Sequence, residues 1–410
     1  MARFRGIVLR LLVAAVLVLG FSPVHPVQAY IPISGTVTWT IDQIIATDVV
    51  VLNGALLTIQ SGVSVTMQCG IDPAPYSSGL STKIEIIVEN GGTLNMNGAI
   101  IHGDGNGGCW QGITFLPGSG GNILNSTIQD ATVGIAIQSA SPQILGNTIS
   151  NLSGDAQTPS SIATDAIGVW VYGVGALPVV NENTIQYVNG GFGLNGQIVS
   201  PGGNAYGVLI TSGASPTVQN NDILYIYGGN GGVGQSGPAG LPGAPGTELS
   251  PNGGNGTDGG PGTGGGSGGE AVGIALTSSS ALVSGNFISD VRGGAGGFGG
   301  AGGPGGPGGN GYGATDIDVG LTGGSGGSGG GGGAGGMGGG GGVAAGIRSL
   351  LGVPLTAYNN YIQIVLGGAA GDGGPGGPGG DGGLGGNGGN GAPGTPPCAR
   401  WNSRRFSPGW

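Results

Sequence analysis

Gly134-Ile-Ala-Ile-Gln-Ser-Ala-Ser-Pro-Gln-Ile-Leu-Gly-Asn147-Thr-Ile-Ser150 alternates apolar and small or polar residues, breaks at Ser-Ala-Ser-Pro, and alternates again on either side of an asparagine. Three short period-two runs in so few residues read as three short strands. None of them can bury an apolar face alone. The same unit recurs at Gly112, Gly168, Gly207, Gly273 and Gly346, each followed by an asparagine: Asn125, Asn147, Asn183, Asn221, Asn286 and Asn360. The glycine-to-asparagine distances are 13, 13, 15, 14, 13 and 14 residues. Near-constant spacing of a strand-turn-strand unit implies units that stack and bury a shared core.

Distances from each asparagine to the next glycine are 9, 21, 24, 52 and 60 residues. Every insertion therefore leaves the stack at one corner, and the insertions lengthen along it. They are built of glycine, which makes up 105 of the 410 residues where about 7% is usual. Glycine falls at every third position in 228–246, 253–268, 293–311, 320–341 and 373–394. A strict register is foreign to a flexible linker and suits left-handed extended helices of three residues per turn. Collagen and disorder are the competing readings. Gly237-Pro-Ala-Gly-Leu-Pro-Gly-Ala-Pro-Gly would pass as collagen, whereas the Gly-Gly-X elsewhere lacks the imino acids a triple helix needs. The sharpest expectation is paired antiparallel arms: 228–246 outward, a turn at 247–252 and return along 253–268, then 293–311, a turn at 312–319 and return along 320–341.

These units resemble the repeats of right-handed parallel β-helices of the pectin-lyase-like superfamily, over about residues 33–366 without the loops. Leu57-Thr-Ile-Gln-Ser-Gly-Val-Ser-Val-Thr and Gly91-Gly-Thr-Leu-Asn-Met-Asn-Gly resemble the opening coils of secreted members. The resemblance implies an all-β, single-stranded right-handed parallel β-helix with polyglycine II-like loops from one corner. It also implies that the six asparagines form a ladder of stacked side-chain amides; ordinary turn asparagines are the alternative. The inserted material resembles the glycine-rich segments of PGRS proteins and the polyglycine bundles of some antifreeze proteins and phage tail adhesins.

Residues 1–29 read as a signal peptide: Arg3, Arg5 and Arg10, the apolar run 11–19, then Val27-Gln28-Ala29. The expected organisation is thus 1–29 signal, 30–111 opening coils, 112–366 repeats with insertions at 228–269 and 293–342, a glycine-rich tail at 367–395 and an atypical end at 396–410. That end carries three arginines and two tryptophans, in keeping with a truncated or frame-shifted reading. An extracellular or cell-surface protein without a membrane span after cleavage follows, and an oxidising compartment makes a Cys69–Cys109 disulfide the expected pairing, with Cys398 left over. Loss of the signal moves the net charge from −10 to −13. Between Tyr30 and Pro397 only Lys83, Arg292 and Arg348 are basic, which excludes nucleic acid as a partner.

Chemistry is sparse. Polysaccharide lyases and hydrolases of this fold need carboxylates with a nearby base, or paired carboxylates. The outward strand positions read Thr114, Ala136, Trp170, Leu209, Ala275 and Arg348 on one face, and Ser150, Gln186, Leu224, Ser289 and Gln363 on another. His102 with Asp104 reads as a solvated turn, Asp316 with Asp318 as solvated surface, and Trp170 with Tyr172 as packing. Gly-x-Gly-x-x-Gly matches are trivial in this composition. The expectation is no catalytic, cofactor-binding or metal site. It points to a non-catalytic structural or adhesion protein whose partners are surface glycans or other cell-surface proteins. A carbohydrate-binding or degenerate polysaccharide-processing β-helix is the alternative, followed by an ice- or surface-binding protein.

Overall fold

A computed structural model describes residues 30–385 except 71–75, 77–81, 106, 157, 159–162, 198, 314–322 and 351–354. The expected signal segment, most of the expected turn at 312–319 with Asp316 and Asp318, the glycine-rich tail from 386 onward, Cys398 and the atypical end lie outside the described residues. The described chain is all-β. Twenty-seven strands form three parallel sheets of nine, and consecutive members of each sheet are three strands apart in sequence. One turn of the chain therefore contributes one strand to each sheet, which defines a parallel β-helix. In one coil, Ala166–Tyr172 lies in the first sheet, Val179–Asn181 in the second and Thr184–Asn189 in the third. Register holds from coil to coil: Val169 pairs with Val208 and Val208 with Ile274.

Inward positions are mostly β-branched or leucine, with Met67, Met96 and Phe115 among them in the opening coils, and stack into one continuous core running the length of the solenoid, with Ile135, Val169, Val208 and Ile274 all at 0% exposure. Stacking identical shapes at ~4.8 Å removes almost all their apolar surface from water. The glycine that opens each unit has a spatial cause. A Cβ at Gly207 would lie 2.4 Å from Ile223 Cγ2 on the third sheet and 2.6 Å from Gly273 O on the next coil. In the five units from Gly134 onward the glycine faces an isoleucine of the third sheet, whereas Gly112, at φ 129°, is confined by Val133 O.

The asparagine column is internal. Asn147 Nδ2 donates to Ile123 O and to Asn183 Oδ1. The same relay runs from Asn183 to Asn221, from Asn221 to Asn286 and from Asn286 to Asn360, each at 2.9 Å. Each Oδ1 also accepts the backbone N–H of the preceding asparagine. A buried turn thereby satisfies polar groups that burial would otherwise penalise.

Asn125 does not belong to this column, and the expectation for it is corrected. Ser126 occupies the ladder position: its N–H donates to Asn147 Oδ1, and its Oγ accepts from Ala99 N. Asn125 is exposed, with its amide on Asn97. The coil starting at Gly112 holds one more residue before the turn, so Leu124, not Ile123, aligns with Leu145. Asn125 instead fills a second column, the residue preceding the ladder, where the chain enters the left-handed region: φ is 47° at Asn125, 67° at Gly146, 58° at Glu182 and 51° at Asn220. Asparagine and glycine suit that conformation.

The insertions leave after the third-sheet strands and return to the first-sheet strands. Their backbones are hydrogen-bonded along two layers. Within the outward layer, Gly231 N donates to Ala295 O and Gly296 N to Ala369 O, and the pattern repeats every third residue as far as Leu384. Within the return layer, Gly259 N donates to Gly331 O. Between layers the arms are antiparallel: Gly266 N donates to Gly232 O, Gly297 N to Gly266 O and Gly339 N to Gly297 O. In each Gly-Gly-X triplet the first glycine bonds within its layer, the second bonds across, and X faces out. A Cβ at Gly297 would lie 1.8 Å from Gly232 O, whereas one at Gly340, an X position, meets nothing within 4 Å. The period-three register of the sequence falls on the first glycine, which is equally confined: a Cβ at Gly296 would lie 2.1 Å from Gly339 O.

The collagen-like stretch has a positional cause. The short insertion at 190–204 covers the start of the next outward arm, where Gly232 N donates to Ser200 O. Beyond that cover the second position of the triplet is no longer glycine but Gln235, Pro238, Leu241 and Ala244, all exposed. On the facing return arm, Thr257 and Thr263 replace glycine, and their Oγ1 atoms accept from Leu241 N and Gln235 N. Side chains enter the slab where its neighbour ends.

Candidate functional site

The outer face of the first sheet gathers most of the chemistry. Residues three before the unit glycines stack in a column: Asp165, Asn204 and Glu270. Asp165 Oδ1 accepts from Asn204 N at 2.8 Å, and Asn204 Oδ1 accepts from Glu270 N at 2.9 Å. On the following coil Arg348 Nη2 donates to Glu270 Oε2 at 2.8 Å. Tyr206, nearly buried, lies against this cluster. Burial, then the Asp165 and Glu270 charges, push its hydroxyl up to about 12. Burial also raises the Asp165 carboxyl, against the lowering effect of the Asn204 hydrogen bonds. The hydrogen bond that Arg348 donates to Glu270 holds its guanidinium above its ordinary value. Arg348 Nε is buried and unpartnered.

Beside this cluster, outward residues form a second apolar group of Val133, Ala136, Ile167, Tyr206, Val272 and Ala275, with Trp170, Tyr172, Leu209 and Ala345 packed on it. Trp170 and Tyr172 stack at 4.3 Å, and Trp170 Nε1 donates to Thr211 Oγ1. These aromatic faces are therefore occupied by protein.

Sequence reading placed Arg348 outward and alone; stacking gives it Glu270, with Asp165 two coils further back. The three are far apart in sequence, and only the coil register brings them together. The offset of three from each unit glycine was the available signal. Arg292 pairs with Asp290, and Lys83 with Asp155. Among the described residues, each of the three Lys and Arg side chains is thus held by a carboxylate. His102 Nε2 lies within hydrogen-bond distance of the Ser64 and Thr66 hydroxyls, and its Nδ1 approaches Gly103 O. Asp104 Oδ1 accepts from Cys69 N, so the pair is not joined as a catalytic dyad.

Cys69 and Cys109 are disulfide-bonded, with α-carbons 4.7 Å apart. Cys69, Cys109 and Asp104 are the group of potential metal-ligating side chains found among the described residues. The bond between the two sulfurs removes the thiolates a metal would need.

No family model matches the chain, and no curated protein does. Among solved structures, a mutant of the periplasmic alginate epimerase AlgG is similar at TM-score 0.32 and 11% identity, covering 78% of this chain and 78% of that one. A second AlgG mutant is similar at TM-score 0.28 and 12% identity, over 81% of this chain and 77% of that one. The assignment to the parallel β-helix class rests on the three sheets themselves, and the functional reading rests on the residues above. No helix among the described residues is long and apolar enough to cross a membrane.

Proposed function

We propose that the chain is a non-catalytic secreted or cell-surface structural protein, an adhesion or matrix component in which a rigid β-helix displays a slab of glycine arms toward surface glycans or other cell-surface proteins. The observation that carries this reading is the pairing of every described cation with a carboxylate. A lyase or epimerase acting on uronates needs a base to abstract a proton and a cation to hold the carboxylate. On the first-sheet face Glu270 occupies Arg348, and backbone N–H occupies Asp165. The slab places its variable X side chains outside and its constant glycines inside, an arrangement suited to display.

The test is turnover on alginate, pectin and xylan, with and without calcium, followed by nuclear magnetic resonance for both cleavage and epimerisation. No product is expected from the mature chain. Turnover that disappears in Arg348→Ala would overturn the reading. A glycan array and whole-cell binding, comparing the full chain with a variant whose residues 228–269 are replaced by a short turn, would show the slab as the binding element if only the full chain is retained.

A further inference from the structure

The two faces of the slab are chemically unlike. On the three long outward arms, X residues from Asn230 to Pro245, Ala295 to Asn310 and Ala369 to Leu384 align in six rows, because each first glycine donates to the X carbonyl of the next arm. Thirteen of these eighteen side chains are apolar, six of them proline. Val233, Phe298 and Leu384 are 40%, 56% and 73% exposed. Of the eleven X residues on the opposite face, from Asn255 to Ser267 and Ser325 to Gly340, only Pro261, Ala334 and Met337 are apolar.

Proline here has a second effect. X amides point onto this face, as shown where Asn230 Oδ1 accepts from Ala295 N and Asn310 Oδ1 from Leu384 N. Proline has no N–H, so it leaves no donor to be stripped of water when the face is covered. Eighteen residues per arm at ~3.1 Å and three arms at ~4.8 Å give a flat area of roughly 56 by 14 Å, about 800 Å². That is larger than the apolar patches monomers usually leave exposed, and it matches the share each partner contributes to a stable interface.

We infer that this face packs against the same face of a second copy, slab on slab, in a two-fold dimer. A flat, donor-poor surface is complementary to itself, which an isologous interface requires. The charges on it, Asp372 and Asp381, are acidic and at one edge, which disfavours an anionic membrane. Glycans would need the donors that proline removes. The inference goes beyond the display reading and stands or falls separately from it, since dimerisation is read without any ligand.

Sedimentation velocity of the mature full chain across a wide concentration range should show a dimer. Phe298→Glu sets like charges across the interface and should weaken association by about a hundredfold or more, while amide exchange in the slab stays slow. Met337→Glu, on the opposite face, should leave the dimer intact. A monomer at every concentration would overturn the inference, as would a dimer indifferent to Phe298→Glu. So would a chain that dimerises only after residues 386–410 are removed, because its own end would then be what covers the face.

Discussion

The solenoid and the glycine slab share one repeat distance and are held together by opposite parts of the chain. In the solenoid, side chains do the work: Ile135, Val169, Val208 and Ile274 stack at 0% exposure, and the backbone ladders follow. In the slab, the interior consists of peptide groups, each central arm bonded to arms in its own layer and across. The solenoid tolerates changes of shape if volume is kept. The slab tolerates a side chain at X, none at the first glycine, and none at a second position that faces a neighbouring arm. The difference predicts where each region breaks.

The largest effect is expected from Gly297→Val. Its Cβ would collide with Gly232 O, and since each arm is bonded to its neighbours, fast exchange should spread through both layers while the solenoid amides stay protected. Gly340→Ala, at an X position, should change neither. Hydrogen exchange by mass spectrometry reads both variants. Fast exchange confined to the residues beside position 297 would break the idea of a cooperative slab.

Reduction of the Cys69–Cys109 bond should come next. It closes a loop with a sequence separation of 40, worth about 4 kcal/mol in the chain-entropy model. The loss should appear in denaturant unfolding of the solenoid and not in slab exchange. An unchanged midpoint would mean that the opening coils do not limit stability.

Asn221→Ala removes the acceptor for Asn183 N and Nδ2 and the donor to Val180 O and Asn286 Oδ1. A cost of about 2–4 kcal/mol is expected from several buried groups left unpaired. Asn125→Gly should be nearly neutral, because that residue is exposed and already in the left-handed region. Equal costs would break the distinction between the two columns.

The smallest effect concerns Asp165. Its folded carboxyl is raised above the ordinary value, so the folded state holds the proton more tightly than the unfolded one. The stability this gives is present at low pH and is lost as pH rises past the unfolded value. Asp165→Asn keeps an oxygen for Asn204 N without the buried charge. It should therefore raise the melting temperature at neutral pH and leave it unchanged in acid. A variant less stable at neutral pH would show the charge to be favourable where it sits.

The fold was legible because burial imposes a period of two along each strand and a fixed length on each turn. The Gly134 and Gly207 units show both directly. What the spacing could not resolve was one residue of slack: the count of 13 from Gly112 to Asn125 matched the count to Asn147, while the extra residue lay ahead of the turn. The paired arms were legible from period three, because the first position of each triplet admits no side chain: a Cβ at Gly296 would lie 2.1 Å from Gly339 O. The Asp165–Glu270–Arg348 cluster was not. Its members are separated by insertions whose lengths carry no register, and only stacking brings them to one face.

The exchange of side chains for peptide groups in the slab also sets its response to temperature. Unfolding the solenoid exposes hydrocarbon, which raises heat capacity and weakens stability on cooling; exposing peptide groups lowers it. With glycine inside, the slab should unfold with a heat-capacity increment well below the ~12–15 cal/mol/K per residue of ordinary domains. Its stability should then rise steadily toward the freezing point, while that of the coils beneath it passes through a maximum. Scanning calorimetry would find two transitions of unequal curvature, the slab losing to heat first and resisting cold longest.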